Sequence, residues 1–167
     1  MSGIKITTKA GDKGYSRIWG GKKLRKDNLL FEAIGSLDEL SSVLGILIAK
    51  SSEDGLKENL SLIQKDLYKI MAFIAGKKDV ELGLKKRIKI FEQEISKVLQ
   101  KKEVLNRFVL PQGKEITAFL HFARTVARRA ERRIVSVEKN QEILKYLNRL
   151  SDFLFAKALE LEEGVYI

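Results

Sequence analysis

The feature that most constrains the fold is a set of long segments whose apolar residues recur every three or four positions. In the segment around 56–74 the spacing alternates between four and three, close to a heptad. Segments around 31–48, 84–99 and 114–163 have the same helical period. The last is too long for one ordinary globular helix, and its apolar stripe changes phase near Lys139–Asn140. This phase change predicts a break between a fourth and a fifth helix.

These periods predict an all-α bundle of five helices over 30–163, since no segment alternates long enough to form a sheet. A chain of 167 residues suits one domain, 1–167. We expect Ser51 and Ser52 to cap the second helix. No apolar run approaches the ~18 residues of a membrane span, no signal peptide is recognisable, and there are no cysteines. The sequence therefore predicts a cytoplasmic protein without a membrane partner.

The fourth helix carries five arginines and one glutamate within Arg124–Arg133. At roughly 100° per residue, Arg124, Arg128, Arg132 and Glu131 share an arc that adjoins the apolar face. The planar guanidinium fork suits phosphate oxygens. Spacing alone leaves two interpretations open, namely a solvated charged face and an anion site.

The first 29 residues have no helical period and are rich in glycine, hydroxyl groups and lysine. A frayed basic terminus is one interpretation. The other is a phosphate-binding loop, in which glycines turn backbone N–H groups toward an anion. It is not a P-loop, because the Gly-x-x-x-x-Gly-Lys-Ser/Thr spacing is missing. The formal net charge of +10 suits a polyphosphate ligand, nucleic acid or an acidic membrane.

Five motifs, taken in order, make the chain resemble one family from end to end, most weakly between about 50 and 106. The motifs are Thr7–Gly14, Phe31–Ser42, Phe108–Gly113, Leu120–Arg133 and Tyr146–Phe155. On these motifs the chain is identified as a member of the PduO-type ATP:cob(I)alamin adenosyltransferases. The resemblance implies a homotrimeric five-helix bundle with active sites between neighbouring subunits and an irregular N-terminal nucleotide-binding segment, 1–29.

The resemblance also implies roles for particular residues. The implied ATP contacts are Thr8, Lys9, Ala10, Gly11, Ser16, Arg17, Lys26, Arg128, Arg129, Ala130, Glu131, Arg132 and Asn148. Arg128 is expected to be catalytic, Asp38 and Arg124 to bridge subunits beside the site, and Phe108 to lie on the corrin side. Two residues depart from the family pattern: Ala10 stands where threonine is usual, and Arg17 where a second small hydroxyl residue often follows Ser16. A lost hydroxyl removes at most a hydrogen bond worth ~1 kcal/mol.

The implied reaction is attack of Co(I) of a reduced corrinoid on C5′ of ATP, with Mg²⁺ on the expelled triphosphate. The nucleophile belongs to the corrinoid, so no catalytic serine, cysteine or histidine is needed. A cobalt reductase and an adenosylcobalamin-dependent enzyme are the implied partners. One alternative is a corrinoid delivery protein of the same fold without transfer activity. A second, a nucleic-acid-binding helical protein, leaves the N-terminal loop and Asp38 unexplained, so no nucleic acid partner is expected.

Several polar or aromatic side chains also have simpler interpretations. His121 lies on the side of its helix that carries Arg124, so we expect it to be exposed or to support the site. Ser151 lies within an apolar helix face, where a hydrogen bond back to a carbonyl oxygen is the expected role. Phe108 and Phe155, without the resemblance, would be ordinary core aromatics.

Overall fold

The computed structural model describes residues 7, 9–101 and 108–161. The elements in order are β1 Tyr15–Arg17, β2 Lys23–Arg25, α1 Leu29–Lys50, α2 Asp54–Ile74, α3 Leu84–Lys101, α4 Glu115–Val135 and α5 Gln141–Leu161. The five predicted helices are confirmed, and α4 and α5 separate where the apolar stripe changes phase. None of the described helices is long and apolar enough to cross a membrane.

Polar side chains begin α1 and α5. The Asn28 side chain accepts a hydrogen bond from the Leu30 backbone N–H at 3.0 Å, and Asn140 accepts one from Glu142 at 2.9 Å. The predicted caps of α2 are wrong, because Glu53 occupies that position without a side-chain hydrogen bond. Ser51 instead ends α1, and its hydroxyl accepts from the Glu53 N–H at 3.1 Å. The link between the helices is so short that Ser51 belongs to the preceding helix.

The helices pack around one main core to which all five contribute. Helix α4 packs against α1 and α5, α5 also packs against α3, and α1 against α2. Helices α1 and α4 are antiparallel: Lys50, at the end of α1, pairs with Glu115, at the start of α4, at 2.6 Å. Glu32, at the start of α1, pairs with Arg133, near the end of α4. The arginine-rich end of α4 therefore lies at the end of the bundle where the N-terminal segment enters α1.

A small hairpin, which the sequence did not predict, precedes α1. Strands β1 and β2 pair antiparallel, with Ser16 opposite Leu24. Strands of three residues are too short to produce a recognisable alternation. The hairpin is fixed to the end of α2, since the Trp19 N–H donates to the Ala75 carbonyl oxygen at 2.9 Å. Gly76, at φ +110°, lies so close that an added Cβ atom would be 3.4 Å from the Trp19 oxygen.

Candidate functional site

The arginines of α4 fall into two groups according to the partners that the fold gives them. Arg129 forms an ion pair with Glu39, and Arg133 forms one with Glu32. Both glutamates belong to α1, seven residues apart, and therefore lie along one side of that helix. These two arginines face α1, and their charge is compensated within the chain.

Arg128 and Arg132 lie on the other side and are exposed. Among the described residues neither forms an ion pair, and the Arg132 guanidinium donates only to the Arg128 carbonyl oxygen, at 3.1 Å. The two arginines are four positions apart, so both project from the same side of the helix. The result is a pair of uncompensated guanidinium groups open to solvent, which suits an anion with several oxygen atoms.

Asn148 of α5 contacts Glu131, the residue immediately before Arg132 on α4. Its side-chain Nδ2 donates to the Glu131 Oε1 of α4 at 3.3 Å, and its Oδ1 accepts from Arg149 at 2.9 Å. The structure thus brings together Glu131 and Asn148, which the sequence placed in separate motifs. Ala130, also a predicted contact, has a fully buried side chain that belongs to the core.

Arg124 lies one helical turn before Arg128, on the same side of α4, and is less exposed than Arg128 and Arg132. Arg124 is half-buried, its Nε has no hydrogen-bond partner within the described residues, and its guanidinium carbon lies 5.6 Å from the centre of the Phe155 ring. Burial, and then the positive charge of Arg128, lower the pKa of Arg124. An arginine in this setting stays charged and gains from a carboxylate supplied by another molecule.

Of the two roles expected for His121, exposure is wrong, because the residue is only 3% exposed, while a role in supporting the site stays a prediction. Its ring lies 6.0 Å from that of Phe155, on the α5 side of α4. Nδ1 of His121 and the hydroxyl of Thr117, one turn earlier, are both buried without a hydrogen-bond partner in the described chain. Burial, and then the charge of Arg124, lower the pKa of His121. Both effects favour the neutral imidazole over the charged one.

Phe108 is not a core aromatic, since its side chain is 83% exposed. The neighbouring Val109 packs against a small apolar cluster, and Phe155 packs against the same cluster. That cluster is formed by Val98, Ala156 and Leu159. Phe108 therefore presents an apolar ring to solvent, next in sequence to a residue that packs against the same cluster as Phe155.

Asp38 lies exposed on α1 and forms no ion pair with Arg124 within the described chain. Its backbone carbonyl accepts from the Ser42 hydroxyl at 3.0 Å, while its carboxylate faces solvent. The predicted bridge from Asp38 to Arg124 is therefore not made inside one subunit, and its existence between subunits stays a prediction.

The N-terminal segment forms tight turns around Lys26. An added Cβ atom on Gly11 would lie 2.8 Å from the Lys26 Nζ, and the Lys26 N–H donates to the Gly14 carbonyl oxygen at 2.9 Å. Lys9 adopts the left-handed conformation, with φ 55°. A side chain at position 11 would displace the end of the flexible Lys26 side chain, whose ammonium group is the type of group that binds phosphate.

Three other predicted contacts of this segment have different surroundings. Arg17 donates to the Gly21 carbonyl oxygen at 2.9 Å, so part of its guanidinium stabilises the hairpin turn. Ser16 is half-buried within β1, and Ala10 is exposed in the turn before it. Thr8 lies outside the described residues. The hairpin and the end of α4 share one end of the bundle, where both approach the start of α1.

The comparison with known proteins identifies the family. Residues 6–161 match the family model described as cobalamin adenosyltransferase. The chain belongs to this family. The family assignment and the enzyme class predicted from the motifs are both confirmed, and the cobalamin adenosyltransferase fold agrees with the five-helix bundle described above.

Individual cobalamin adenosyltransferases are similar over most of their length. The chain is 38% identical to the corrinoid adenosyltransferase of Bacillus subtilis over 93% of the chain and 85% of the relative. It is 39% identical to the human corrinoid adenosyltransferase MMAB over 96% of the chain and 70% of the relative. A variant of the PduO-type ATP:corrinoid adenosyltransferase from Lactobacillus reuteri, solved with cobalamin and ATP, superposes with a TM-score of 0.89. That structure is 32% identical and covers 98% of the chain and 96% of its own.

The sequence did not single out the residues that position the side chains of the arginine motif and of Asn148. Glu32 and Glu39 orient two of the arginines, and Arg149 holds Asn148. The available signal was the spacing of the partners: Glu32 and Glu39 are seven positions apart on α1, and Arg129 and Arg133 are four positions apart on α4. Recognising it requires knowing that α1 and α4 are antiparallel neighbours in this register.

Proposed function

We propose that this protein transfers the 5′-deoxyadenosyl group of ATP to Co(I) of a reduced corrinoid, giving adenosylcobalamin and triphosphate. The proposal rests on two guanidinium groups, Arg128 and Arg132, that form no ion pair within the described residues. Between them in sequence lies Glu131, whose carboxylate accepts from the amide of Asn148. In a member of the cobalamin adenosyltransferase family, unpaired guanidinium groups are suitable donors to the phosphate oxygens of a nucleoside triphosphate.

The reaction forms one bond and breaks one bond. The electron pair of Co(I) attacks C5′ of the ribose, the C5′–O bond breaks, and its electron pair leaves with the triphosphate. Cobalt is thereby formally oxidised to Co(III). Arg128 and Arg132 stabilise the negative charge that develops on the leaving group, together with Lys9 and Lys26. Holding C5′ in line with cobalt contributes several kcal/mol more, on the order of 7–11 in favourable cases.

Mg²⁺ accompanies the nucleotide in this proposal and is bound mainly through the phosphate oxygens. Within the described residues no group of three or more acidic, histidine or cysteine side chains is placed to hold a metal ion. When bound, Mg²⁺ neutralises charge on the triphosphate, and the residues of this chain only supplement that effect.

The active site forms between the subunits of a homotrimer. Arg124 supports this arrangement. Its half-buried guanidinium has an Nε without a hydrogen-bond partner in the described part of the chain, and a carboxylate from a neighbouring subunit would stabilise it. Asp38, exposed on α1, is that carboxylate. Replacement Asp38→Asn removes the charge but keeps the shape, so it tests the bridge through the trimer's dissociation and through turnover.

Phe108 faces the corrin ring from the side opposite the nucleotide. An apolar ring cannot ligate cobalt, so it keeps water and the lower axial ligand away and makes Co(II) easier to reduce.

Two partner enzymes are expected: a cobalt reductase that delivers the electron and an adenosylcobalamin-dependent enzyme that receives the product. The cytoplasmic location stays a prediction.

The test is an anaerobic mixture of the purified protein, chemically reduced cob(I)alamin and Mg-ATP, followed by its visible spectrum. ATP-dependent conversion of the Co(I) bands into those of adenosylcobalamin, with release of triphosphate, is the expected result. Binding of ATP or corrinoid without conversion would favour the delivery protein instead. Binding of neither would contradict both functions.

A further inference from the structure

A chain of hydrogen bonds joins α3, α5 and α4 and passes through Asn148. The Glu92 carboxylate of α3 accepts from the Arg149 Nε of α5 at 3.1 Å. The Arg149 Nη1 donates to the Asn148 Oδ1 at 2.9 Å, and the Asn148 Nδ2 donates to the Glu131 Oε1 of α4 at 3.3 Å. The Glu92 carboxylate also pairs with Lys145 at 3.3 Å.

The chemistry of the two neighbours determines which way the Asn148 amide points. Arginine has only donors, so the atom facing Arg149 is the carbonyl oxygen. An ionised glutamate has only acceptors, so the atom facing Glu131 is the amide nitrogen. Asn148 then keeps one N–H and one oxygen lone pair for a ligand, both in defined directions. Without Arg149 the amide is held by a single long hydrogen bond and can rotate.

We infer that Arg149 is a positioning residue for nucleotide binding, which acts by orienting the Asn148 amide and is itself held by Glu92. This inference rests on the proposed function, because it assigns ATP as the ligand that the oriented amide contacts. The guanidinium is essential to this role, since two of its nitrogens bond Glu92 and Asn148 at once. A lysine ammonium is a point charge on a flexible stem and cannot reproduce the fork.

A second α3–α5 ion pair provides a matched control. Glu94, two residues after Glu92, accepts from Lys157 of α5 at 3.0 Å. The side chains of Glu94 and Lys157 are 24% and 12% exposed, against 40% and 35% for Glu92 and Arg149. The control pair is the more buried of the two, so its loss affects packing of α3 on α5 at least as much. No contact joins it to Asn148 among the described residues.

The experiment measures the KM for ATP and kcat with cob(I)alamin in R149K, E92Q, N148A, the double variant N148A/R149K and the control E94Q. We expect R149K to raise KM by about fivefold, the loss of roughly one hydrogen bond, with kcat at saturating ATP nearly unchanged. E92Q raises KM in the same direction, and E94Q does not. The double variant matches N148A alone, because Arg149 acts through Asn148.

Three results would overturn the inference: an unchanged KM in R149K, an equal rise in E94Q, or additive effects in the double variant. An equal rise in E94Q would mean that packing of α3 on α5 is what matters. Additivity would mean that Arg149 contacts the nucleotide directly. Failure of the proposed function is recognised separately, since the unmodified protein would then form no adenosylcobalamin at all.

Discussion

The two sides of α4 carry the same type of residue in opposite electrostatic settings. Arg129 and Arg133 face α1, where Glu39 and Glu32 neutralise them. Arg128 and Arg132, each one position earlier, face away from these glutamates and have no carboxylate partner among the described residues. A guanidinium that is already paired attracts a further anion weakly, whereas an unpaired one retains its full potential.

The difference shows that an arginine-rich motif is not one functional unit. Whether an arginine packs helices together or binds a ligand is decided by the residue opposite it on the neighbouring helix. On α1 that residue is a glutamate, whereas no described carboxylate of α5 pairs with Arg128 or Arg132. Substitutions of these arginines and of Glu39 test this division, beginning with the one from which we expect the largest effect.

Replacement Arg128→Ala removes an unpaired guanidinium and should lower kcat/KM for adenosyl transfer by about 100-fold or more. This is the scale seen when one preorganised donor to a developing charge is lost. Because Arg128 is exposed, the helical content measured by circular dichroism should not change. Turnover close to that of the unmodified protein would show that Arg128 does not stabilise the leaving triphosphate.

Replacement Arg132→Ala should raise the KM for ATP by about tenfold, as expected for loss of a hydrogen bond to a charged group. The matched control is the adjacent Arg133→Ala, which removes the same charge but breaks an ion pair with Glu32. We expect the KM in this control to change by less than about twofold. Equal effects in the two variants would mean that net charge, rather than pairing, determines nucleotide affinity.

The sequence predicted the helices well because each has a long apolar period, and the phase change near Lys139 even located the break before α5. It predicted the short hairpin poorly, since three-residue strands such as Tyr15–Arg17 leave no periodic signal. The burial of His121 was missed because helical spacing gives a direction but does not say that the Phe155 ring covers that direction.

For the site, the sequence identified the arginine motif and the motif of Asn148 through resemblance but not the way in which they are connected. Which arginine pairs with Glu39 depends on the register between α1 and α4, a long-range quantity that local periodicity does not contain. The same holds for Arg149, whose contact with Glu92 requires α3 and α5 to be neighbours.

The buried His121, near the start of α4, predicts that the stability of the protein depends on pH. In the folded chain, burial and the charge of Arg124 lower the pKa of His121. Below about 6.5, the usual pKa of histidine, the unfolded chain binds a proton that the folded chain does not. The free energy of unfolding should therefore fall as the pH decreases through this range.

Chemical denaturation of the unmodified protein and of His121→Gln at pH 7 and pH 5 measures this contribution. Glutamine has no ionisable group, so the variant should lose less stability over the same interval. Hydrogen bonds from Arg149 and Lys97 lower the pKa of the Glu92 and Glu94 carboxyls. Both groups are present in the two proteins, so their contribution cancels in the comparison. An identical loss in the two proteins would show that the imidazole titrates alike in the folded and unfolded chains.

The smallest effect is expected from the paired side of α4. The side chains of Arg129 and Glu39 are 40% and 48% exposed, so water screens their attraction. A double-mutant cycle of Arg129→Ala and Glu39→Ala should therefore give a coupling of about 0.2–1 kcal/mol in the free energy of unfolding.

The family resemblance nevertheless assigns Arg129 to the nucleotide site. If pairing determines its role, both single variants keep the KM for ATP within about twofold. A large rise in Arg129→Ala but not in Glu39→Ala would place Arg129 among the nucleotide contacts, and pairing with α1 would then not be what separates the two groups of arginines.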